Sequence, residues 1–217
     1  MPLLDENTKK EVKNFLNGME SRIKIVFFDS GDGCAYCGEI GTLLDEIKES
    51  TDKIEVERHN ISDKAAAEKH GADKAPLIIF EGKNKGRVMF YGIPSGHEFG
   101  GFLATIVEVS KGDTIEFNDD LKKQVASISV PLRLDVFVTP QCPYCPGAVR
   151  LAQAMAILNK NVTGCGVEAI EFSEWADKNS VRSVPRTIVV ANGKTILAVD
   201  GALAPDMLLN RVLGALE

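Results

Sequence analysis

Cys34-Ala35-Tyr36-Cys37 recurs later in the chain as Cys142-Pro143-Tyr144-Cys145, and these two stretches decide the fold. Each C-x-x-C pair follows an apolar strand pattern, over residues 23–29 and 132–138, and precedes apolar residues at helical spacing. The two pairs contain four of the five cysteines, and Cys165 stands alone. A C-x-x-C pair between a strand and a helix is typical of a thiol redox motif.

The surroundings of the two pairs show that the chain is a duplicated unit. At an offset of 109 residues, Pro76 matches Pro185 and Gly92 matches Gly201. The apolar patterns predict the order α-βαβ-α-ββα in each unit. We therefore predict an α/β fold of two tandem, closely packed units, each with a central mixed sheet flanked by helices. Residues 1–115 form the first unit and residues 116–217 the second.

Three local features of this prediction can be compared directly with a structure. The helices that follow the motifs are expected to begin at Cys34 and Cys142. In the second unit, a strand is expected at residues 167–171. Asn192-Gly193 is expected to form a tight hairpin turn.

The composition excludes several classes of protein. The chain has 217 residues, of which 44% are hydrophobic and 26% charged, which is ordinary for a globular protein and unlike a disordered one. Its net charge of −6 supplies no basic field for nucleic acid or an anionic membrane. The sequence shows neither a membrane-spanning stretch nor the apolar region of a secretory signal. We therefore expect a cytoplasmic protein that binds neither nucleic acid nor membrane.

The position of each cysteine within its pair predicts its role. The first cysteine, Cys34 or Cys142, lies next to the free N–H groups at a helix start, which favour the thiolate and make it the nucleophile. The second, Cys37 or Cys145, lies about one turn further on, where it can attack a mixed disulfide and release the substrate. We expect Cys34 and Cys142 to attack, and Cys37 and Cys145 to resolve.

Two prolines at matched spacing support the redox interpretation. Ala75-Pro76 and Val184-Pro185 each precede an apolar strand, in which a trans proline would be awkward. Cis bonds facing the cysteines would leave the backbone groups of Ala75 and Val184 free to pair with an extended substrate. These four residues are our candidate substrate-binding residues, together with Tyr36 and Tyr144 of the motifs.

Other interpretations of the cysteines stay open. Zinc binding is disfavoured because 104 residues separate the pairs, whereas about 15–20 would be usual, and the second unit has no histidine. Two permanent disulfides are possible, although so short a loop constrains the unfolded chain little. Cys165 is interpreted as a small buried side chain or a bystander thiol.

Three acidic residues and three histidines complete the set of titratable candidates. Asp29, Asp135 and Glu46 are either buried carboxylates that relay protons or ordinary solvated charges. The histidines are scattered along the sequence and receive no role, and no metal site is predicted; they are His59, His70 and His97.

These motifs resemble those of a known protein family. Each unit resembles a thioredoxin fold, and Cys142-Pro143-Tyr144-Cys145 looks like the glutaredoxin active-site motif. The whole chain is similar to the tandem-thioredoxin, glutaredoxin-like protein disulfide oxidoreductases of thermophilic archaea and bacteria. The resemblance covers nearly all of the sequence and rests on the cysteine pairs, the matched prolines and the element order.

The resemblance implies the same four catalytic cysteines and assigns Pro76 and Pro185 as the cis prolines. It also implies reduction, oxidation or isomerisation of protein disulfides, with a thioredoxin-reductase-like flavoprotein as electron donor. The sequence departs from ordinary thioredoxins at one position: the buried aspartate six residues before the first cysteine is matched by Phe28 and Val136. Proton relay through that position is therefore not expected.

Our hypothesis is a protein disulfide oxidoreductase that uses no dissociable cofactor and acts on protein disulfides and dithiols. One alternative is an electron shuttle to a peroxidase, resembling the tandem thioredoxin-fold module of alkyl hydroperoxide reductases. That module usually keeps only one C-x-x-C pair. A second alternative is a metal- or iron-sulfur-binding thioredoxin-fold module.

Overall fold

The first half of the chain follows the element order that the sequence predicts. The computed structural model describes residues 2–31 and 33–217. The elements of the first half are α1 (Glu6–Leu16), β1 (Ile23–Asp29), α2 (Cys37–Glu49), β2 (Ile54–Asn60), α3 (Lys64–His70), β3 (Leu77–Glu81), β4 (Arg87–Tyr91) and α4 (Glu98–Lys111).

The second half repeats that order. Its elements are α5 (Asp119–Ala126), β5 (Leu132–Val138), α6 (Cys145–Leu158), β6 (Val162–Glu168), α7 (Ser173–Lys178), β7 (Arg186–Ala191), β8 (Lys194–Asp200) and α8 (Pro205–Leu216). The segment between α4 and α5 is short: Gly112 ends α4 and the Asn118 side chain caps α5 by accepting from the Leu121 N–H. The boundary that we propose after residue 115 lies in this segment.

All eight strands form one continuous sheet in the order β2-β1-β3-β4-β6-β5-β7-β8. Each half contributes four neighbouring strands, and the halves are joined where β4 pairs in parallel with β6. This pairing places Met89 opposite Cys165. The fold is therefore two tandem thioredoxin-like units that share a mixed sheet.

The strand directions bring the two cysteine loops to the same edge of the sheet. β1 and β4 are both antiparallel to β3, while β4 and β5 are both parallel to β6, so β1 and β5 run in the same direction. The cysteines follow the carboxyl ends of these two strands, where ligands bind in open α/β sheets. Four strand spacings separate β1 from β5, which corresponds to about 19 Å.

Apolar side chains cover both faces of the sheet. On one face, α1, α2, α4, α5, α6 and α8 contribute to a single large core. On the other face, a smaller core forms under α3 and α7 and includes Phe28, Tyr91 and Cys165. Strands covered on both faces explain the nearly continuous apolar runs of β1 and β5.

Two of the local predictions are wrong in position. The helices after the motifs begin at Cys37 and Cys145, three residues later than expected, so the first cysteine of each pair precedes the helix. The strand expected at residues 167–171 is β6, at Val162–Glu168. Two glycines, at 164 and 166, conceal it in the sequence, because glycine is depleted in strands.

The predicted hairpin turn is confirmed. Asn192 and Gly193 both have positive φ angles, of 51° and 74°, as a tight primed turn between β7 and β8 requires. Within the part of the chain that the structure describes, no helix combines the length and apolar character needed to cross a membrane.

Candidate active site

The second cysteine pair lies at the start of α6 and is closed as a disulfide. The Cα atoms of Cys142 and Cys145 are 5.5 Å apart. The Cys142 N–H donates to the carbonyl oxygen of Thr139 at 3.1 Å, which fixes the loop between β5 and the motif. Cys142 is 9% exposed, whereas Cys145 is fully buried. Cys142 is therefore more exposed than Cys145, which is compatible with the predicted roles of nucleophile and resolving thiol.

The first pair has the same spacing but a more open environment. The Cα atoms of Cys34 and Cys37 are also 5.5 Å apart, and the sulfurs form a disulfide. The Cys34 N–H donates to the carbonyl oxygen of Gly31 at 3.2 Å. Both cysteines are half-buried. The two sites therefore share a backbone geometry and differ in how deeply the second cysteine is buried.

Each motif presents a tyrosine to solvent between its cysteines. Tyr144 is 71% exposed and Tyr36 is 41% exposed. An exposed aromatic ring beside a disulfide can contact an incoming polypeptide. Their assignment as substrate-binding residues stays a prediction.

The two proline loops lie beside the cysteine loops. Both the Ala75-Pro76 and the Val184-Pro185 bonds are cis. Pro76 directly precedes β3 and Pro185 directly precedes β7, the strands that pair with β1 and β5. Among the described residues, the backbone groups of Ala75 and Val184 form no hydrogen bond. These groups are available to an added strand.

Matched hydrogen bonds hold the two proline loops. The N–H of Gly92 donates to the carbonyl oxygen of Pro76 at 3.1 Å, and the N–H of Gly201 donates to that of Pro185 at 2.8 Å. The landmarks that reveal the duplication in the sequence are thus bonded to each other in each half.

A cavity of about 280 Å³ lies between the two cysteine loops. Tyr36 reaches it from the first motif, and Pro140 and Gln141 reach it from the loop before Cys142. Its remaining wall consists of Glu39, Ile93, Ser95, Glu168, Ile170 and Glu171. The two redox loops therefore border one cavity.

Two carboxylates of this wall are protected from solvent. Burial raises the pKa of Glu168 and of Glu171, and the neighbouring charge of Glu168 raises the pKa of Glu171 further. Glu171 Oε1 accepts from the Ile93 N–H at 2.7 Å, and Glu168 Oε2 accepts from the Glu171 N–H at 2.6 Å. These bonds hold both side chains in the wall of the cavity.

Glu98 is another buried carboxylate, on the helix next to the second cysteine loop. It begins α4, whose amino end is held to the cysteine loop because the His97 N–H donates to the carbonyl oxygen of Pro140 at 2.9 Å. One turn further on, Gly101 lies against Pro146, the residue after Cys145. Glu98 is 2% exposed, and burial raises its pKa to about 8. Sequence analysis missed it because a glutamate at a helix start usually faces solvent.

The positions six residues before the first cysteines carry no titratable group. Phe28 and Val136 are fully buried among apolar side chains, as their residue types predict. Any proton exchange at the second site must therefore use another group, and Glu98 lies on the helix that contacts its cysteine loop.

Two of the carboxylates singled out in the sequence, Glu46 and Asp29, hold backbone segments in place. Glu46 accepts from the N–H groups of Leu3 and Leu4 and so fastens the amino-terminal segment to α2. Asp29 accepts from the Asn60 side chain at 2.8 Å and caps the turn after β1. Neither contact involves a cysteine.

Cys165 belongs to the smaller core, and Asp135 lies opposite it on β5, so neither is part of a redox loop. Arg133 Nε donates to Asp135 Oδ1 at 2.7 Å. Cys165 is fully buried and free, and burial raises the pKa of its thiol. A buried neutral thiol is a weak nucleophile, which agrees with a bystander.

Comparisons with known proteins agree with this architecture. A family model described as a thioredoxin domain matches residues 132–203. The crystal structure of a protein disulfide oxidoreductase from Aeropyrum pernix is similar with a TM-score of 0.84 and 25% identity, over 97% of this chain and 93% of that one. A structure of the AhpF component of alkyl hydroperoxide reductase from Enterococcus faecalis is similar in fold, with a TM-score of 0.82 and 21% identity, over 95% of this chain and 98% of that one.

Relatives found by sequence similarity include further redox proteins. The AhpF component of the alkyl hydroperoxide reductase of Pseudomonas aeruginosa is 27% identical over 84% of this chain and 33% of its own length. A protein of Bacillus subtilis named NADH dehydrogenase is 24% identical over 89% of this chain and 35% of its own length. The chain thus spans about a third of the length of the curated relatives it matches.

The duplicated fold, the two closed C-x-x-C pairs at one sheet edge and the similarity to a protein disulfide oxidoreductase lead to one conclusion. The chain has a tandem thioredoxin fold with two C-x-x-C pairs that close as disulfides, an arrangement consistent with thiol-disulfide exchange.

Proposed function

We propose that the protein exchanges disulfides with protein substrates in the cytoplasm, with Cys34 and Cys142 as nucleophiles and Cys37 and Cys145 as resolving thiols. One observation supports this proposal: the two cysteine loops lie at the same edge of one sheet, and residues of both loops line one cavity. A single bound polypeptide can then meet either pair.

In the reducing direction, the Cys142 thiolate attacks one sulfur of a substrate disulfide. The substrate S–S bond breaks, a mixed disulfide forms, and the other substrate sulfur leaves as a thiolate that takes a proton. Cys145 then attacks Cys142, the Cys142–Cys145 disulfide closes, and the second substrate thiol is released. Two electrons pass from the protein dithiol to the substrate, and the same steps in reverse oxidise a substrate dithiol.

The unequal shielding of the sites supports a division of labour between them. Cys145 is fully buried, so the only sulfur placed for its attack is that of Cys142 in the mixed disulfide, and Tyr144 offers the larger exposed contact surface. We assign Cys142 as the main substrate site. Cys34, in the more open pair, chiefly assists or relays electrons.

Substrate binding is assigned to the backbone beside each motif. The free backbone groups of Ala75 and Val184 can pair with an extended segment by strand addition, with Pro76 and Pro185 against its side chains and the tyrosines beside it. Backbone pairing requires no particular substrate sequence, so the enzyme would accept varied proteins, as reductase, oxidase or isomerase.

Turnover in the reducing direction requires an external electron source. We assign this role to a thioredoxin-reductase-like flavoprotein, which would reduce the more exposed pair formed by Cys34 and Cys37. The protein itself would need no dissociable cofactor, because the electrons reside in its own dithiols.

A second candidate function is electron delivery to a thiol peroxidase. The observation in its favour is the similarity to the AhpF component of alkyl hydroperoxide reductase over 84% of this chain. In that case the two pairs would form a relay toward one partner instead of a general substrate site. An oxidised peroxidase would then be a much better electron acceptor than an unrelated protein disulfide.

Trapping of the mixed disulfide tests the proposal. Cys145→Ala removes the resolving thiol, so a substrate attacked by Cys142 should stay covalently bound until reductant is added. Cys37→Ala should trap a complex through Cys34 in smaller yield. Non-reducing electrophoresis with a disulfide-bonded test protein reports both, and Cys142→Ser/Cys145→Ala should lose the first complex. Absence of any covalent complex from either single variant would contradict the assigned roles.

A further inference from the structure

Three potential metal ligands that are scattered along the sequence meet on the face of the sheet opposite α2. Glu57 and His59 come from β2, and His70 is the last residue of α3. One ligand atom from each lies within 4.8 Å of the other two. We propose that these three side chains bind a divalent transition-metal ion of the Zn²⁺ class.

The distances are close to those of a zinc site. The Oε1 atom of Glu57 lies 2.7 Å from His59 Nε2 and 3.6 Å from His70 Nε2. Nitrogen and oxygen ligands bind Zn²⁺ at about 2.0–2.2 Å, which places neighbouring ligand atoms of a tetrahedron roughly 3.3–3.5 Å apart. Opening the Glu57–His59 contact by less than about 1 Å would bring both distances close to that range.

His70 has a buried ring nitrogen that the hydrogen bonds within the cluster do not satisfy. Its side chain is 3% exposed, and its Nε2 atom is buried without a hydrogen-bond partner among the described residues. That nitrogen faces Oε1 of Glu57. A buried unpaired ring nitrogen is costly in the metal-free protein, and a metal ion would satisfy it.

A second carboxylate contacts the other ring nitrogen of His70, as is common for histidines that bind metal ions. Oε1 of Glu81 lies 2.8 Å from Nδ1 of His70, which favours a proton on Nδ1 and a free electron pair on Nε2. His59 has a looser version of the same arrangement, because Oδ2 of Asp63 lies 3.9 Å from its Nδ1. Both imidazoles therefore turn Nε2 toward Glu57.

Two lysines approach the cluster and do not occupy the ligand positions. Lys24 Nζ donates to Oε2 of Glu57 at 2.6 Å, which leaves Oε1 directed at the imidazoles. Lys69 Nζ lies 3.9 Å from Oε1, on a side chain that is 67% exposed and free to move into solvent. The carboxylates of Glu57, Glu81 and Asp63, which face the ring nitrogens, outnumber these cations.

The ligand set favours a transition-metal ion such as Zn²⁺ over Mg²⁺ and Ca²⁺. Two imidazoles and one carboxylate suit Zn²⁺, whereas Mg²⁺ and Ca²⁺ prefer oxygen ligands alone. A water molecule would complete the tetrahedron. Because the ligands come from β2 and α3, a bound ion would tie that helix to the sheet and stabilise the folded state by mass action.

Zinc binding to the fully oxidised protein tests the proposal, because both C-x-x-C pairs are then disulfides and offer no thiolate. Equilibrium dialysis and titration calorimetry with Zn²⁺ alone should give one ion per chain and a higher unfolding temperature. Glu57→Gln and His59→Ala should each weaken binding at least about 10-fold. His97→Ala removes an exposed imidazole elsewhere and should bind as the wild type does.

A measurement on the unmodified protein removes any dependence on how well the variants fold. The imidazole signals of His59 and His70 should shift in NMR spectra on addition of Zn²⁺, and that of His97 should not. Failure of the oxidised wild-type protein to bind Zn²⁺, equal binding by His59→Ala, or a shift confined to His97 would overturn the proposal.

Discussion

The exposure of single cysteine residues separates the two redox sites. Cys145 is completely buried behind Cys142, whereas Cys37 is half-buried like Cys34. A thiol that solvent and foreign proteins cannot reach reacts only with its neighbour, so Cys145 is suited to resolving and to nothing else. The same motif therefore yields a selective site in one half and a more accessible one in the other.

Glu98 gives the protein a predictable response to pH. Its pKa rises from about 4.5 to about 8 in the folded state because of burial, so the folded protein holds a proton that the unfolded chain has lost. The stability that this protonated form contributes is complete below the unfolded value and is lost as the pH rises through about 8. Above that pH, the fold contains an unpaired buried charge.

Glu98→Gln should remove this dependence. The oxidised wild-type protein should lose more thermal stability than the variant between about pH 5 and about pH 9, by on the order of 10 °C, since about three pH units below the raised pKa correspond to about 4 kcal/mol and about 2–4 °C accompany each kcal/mol in a chain of this size. Scanning calorimetry at the two pH values measures it. Glu11→Gln, at an exposed position of α1, is the control and should track the wild type. If Glu98→Gln lost as much thermal stability as the wild type between these pH values, ionisation of Glu98 would not destabilise the fold.

At the scale of elements, β6 shows why two glycines lie in a central strand. Gly164 faces the backbone of α6, where an added methyl group would collide with the carbonyl oxygen of Ala152. Gly166 faces the ring of Phe90, which a methyl group would approach to 2.6 Å. The absence of side chains lets α6 and β4 pack directly on the strand that joins the two halves.

Gly164→Ala should therefore be destabilising despite the gain in strand propensity. Forcing a methyl group against helix backbone costs typically about 1–3 kcal/mol. Gly214→Ala, in α8, is the matched control: its added methyl group meets open space, and alanine in a helix is favoured by about 1 kcal/mol. Urea unfolding curves compare the two. Equal stability of Gly164→Ala and the wild type would mean that β6 and α6 are further apart than the structure shows.

The same strand marks the limit of prediction from sequence. β1 and β5 lie where the sequence predicts them, because strands buried on both faces form uninterrupted apolar runs ahead of a cysteine. The predicted position of β6 is wrong because its glycines are required by contacts with Ala152 and Phe90, which are distant in sequence. The strand propensities of neighbouring residues give no information about contacts with residues that are distant in sequence.

In the functional site too, some residues can be predicted from the sequence and others cannot. The cysteine pairs and prolines are visible in the sequence because each repeats at matched spacing in both halves. Glu98 and the cluster of Glu57, His59 and His70 occur only in single copies, and tertiary packing alone buries or assembles them. A duplicated sequence reveals what is duplicated and conceals what is specific to one half.

For the molecule as a whole, polar contacts reinforce the junction between the halves. Gln153 of α6 donates to the carbonyl oxygen of Met89 in β4 at 2.9 Å, and its Oε1 accepts from the Thr105 hydroxyl of α4 at 2.6 Å. Arg150 of α6 pairs with Glu108 of α4 at 2.8 Å. Because of these contacts and the β4–β6 pairing, the halves could not separate without exposing core.

The protein should consequently unfold as a single cooperative unit. Trp175 is the one tryptophan in the sequence and packs against Tyr91 of the first half. Its fluorescence and the far-ultraviolet circular dichroism of the whole chain should therefore show coincident transitions in denaturant. Two separated transitions would mean that the halves are independent domains.

The assignment of thiol-disulfide exchange to the two C-x-x-C sites is tested most directly by insulin-disulfide reduction with dithiothreitol as electron source. We predict that Cys34→Ser/Cys142→Ser is inactive and that Cys142→Ser loses more activity than Cys34→Ser, because Cys142 is backed by a fully shielded resolving thiol. A greater loss in Cys34→Ser would reverse the proposed asymmetry. Wild-type activity in the double variant would contradict the account, because the two pairs would then be structural disulfides.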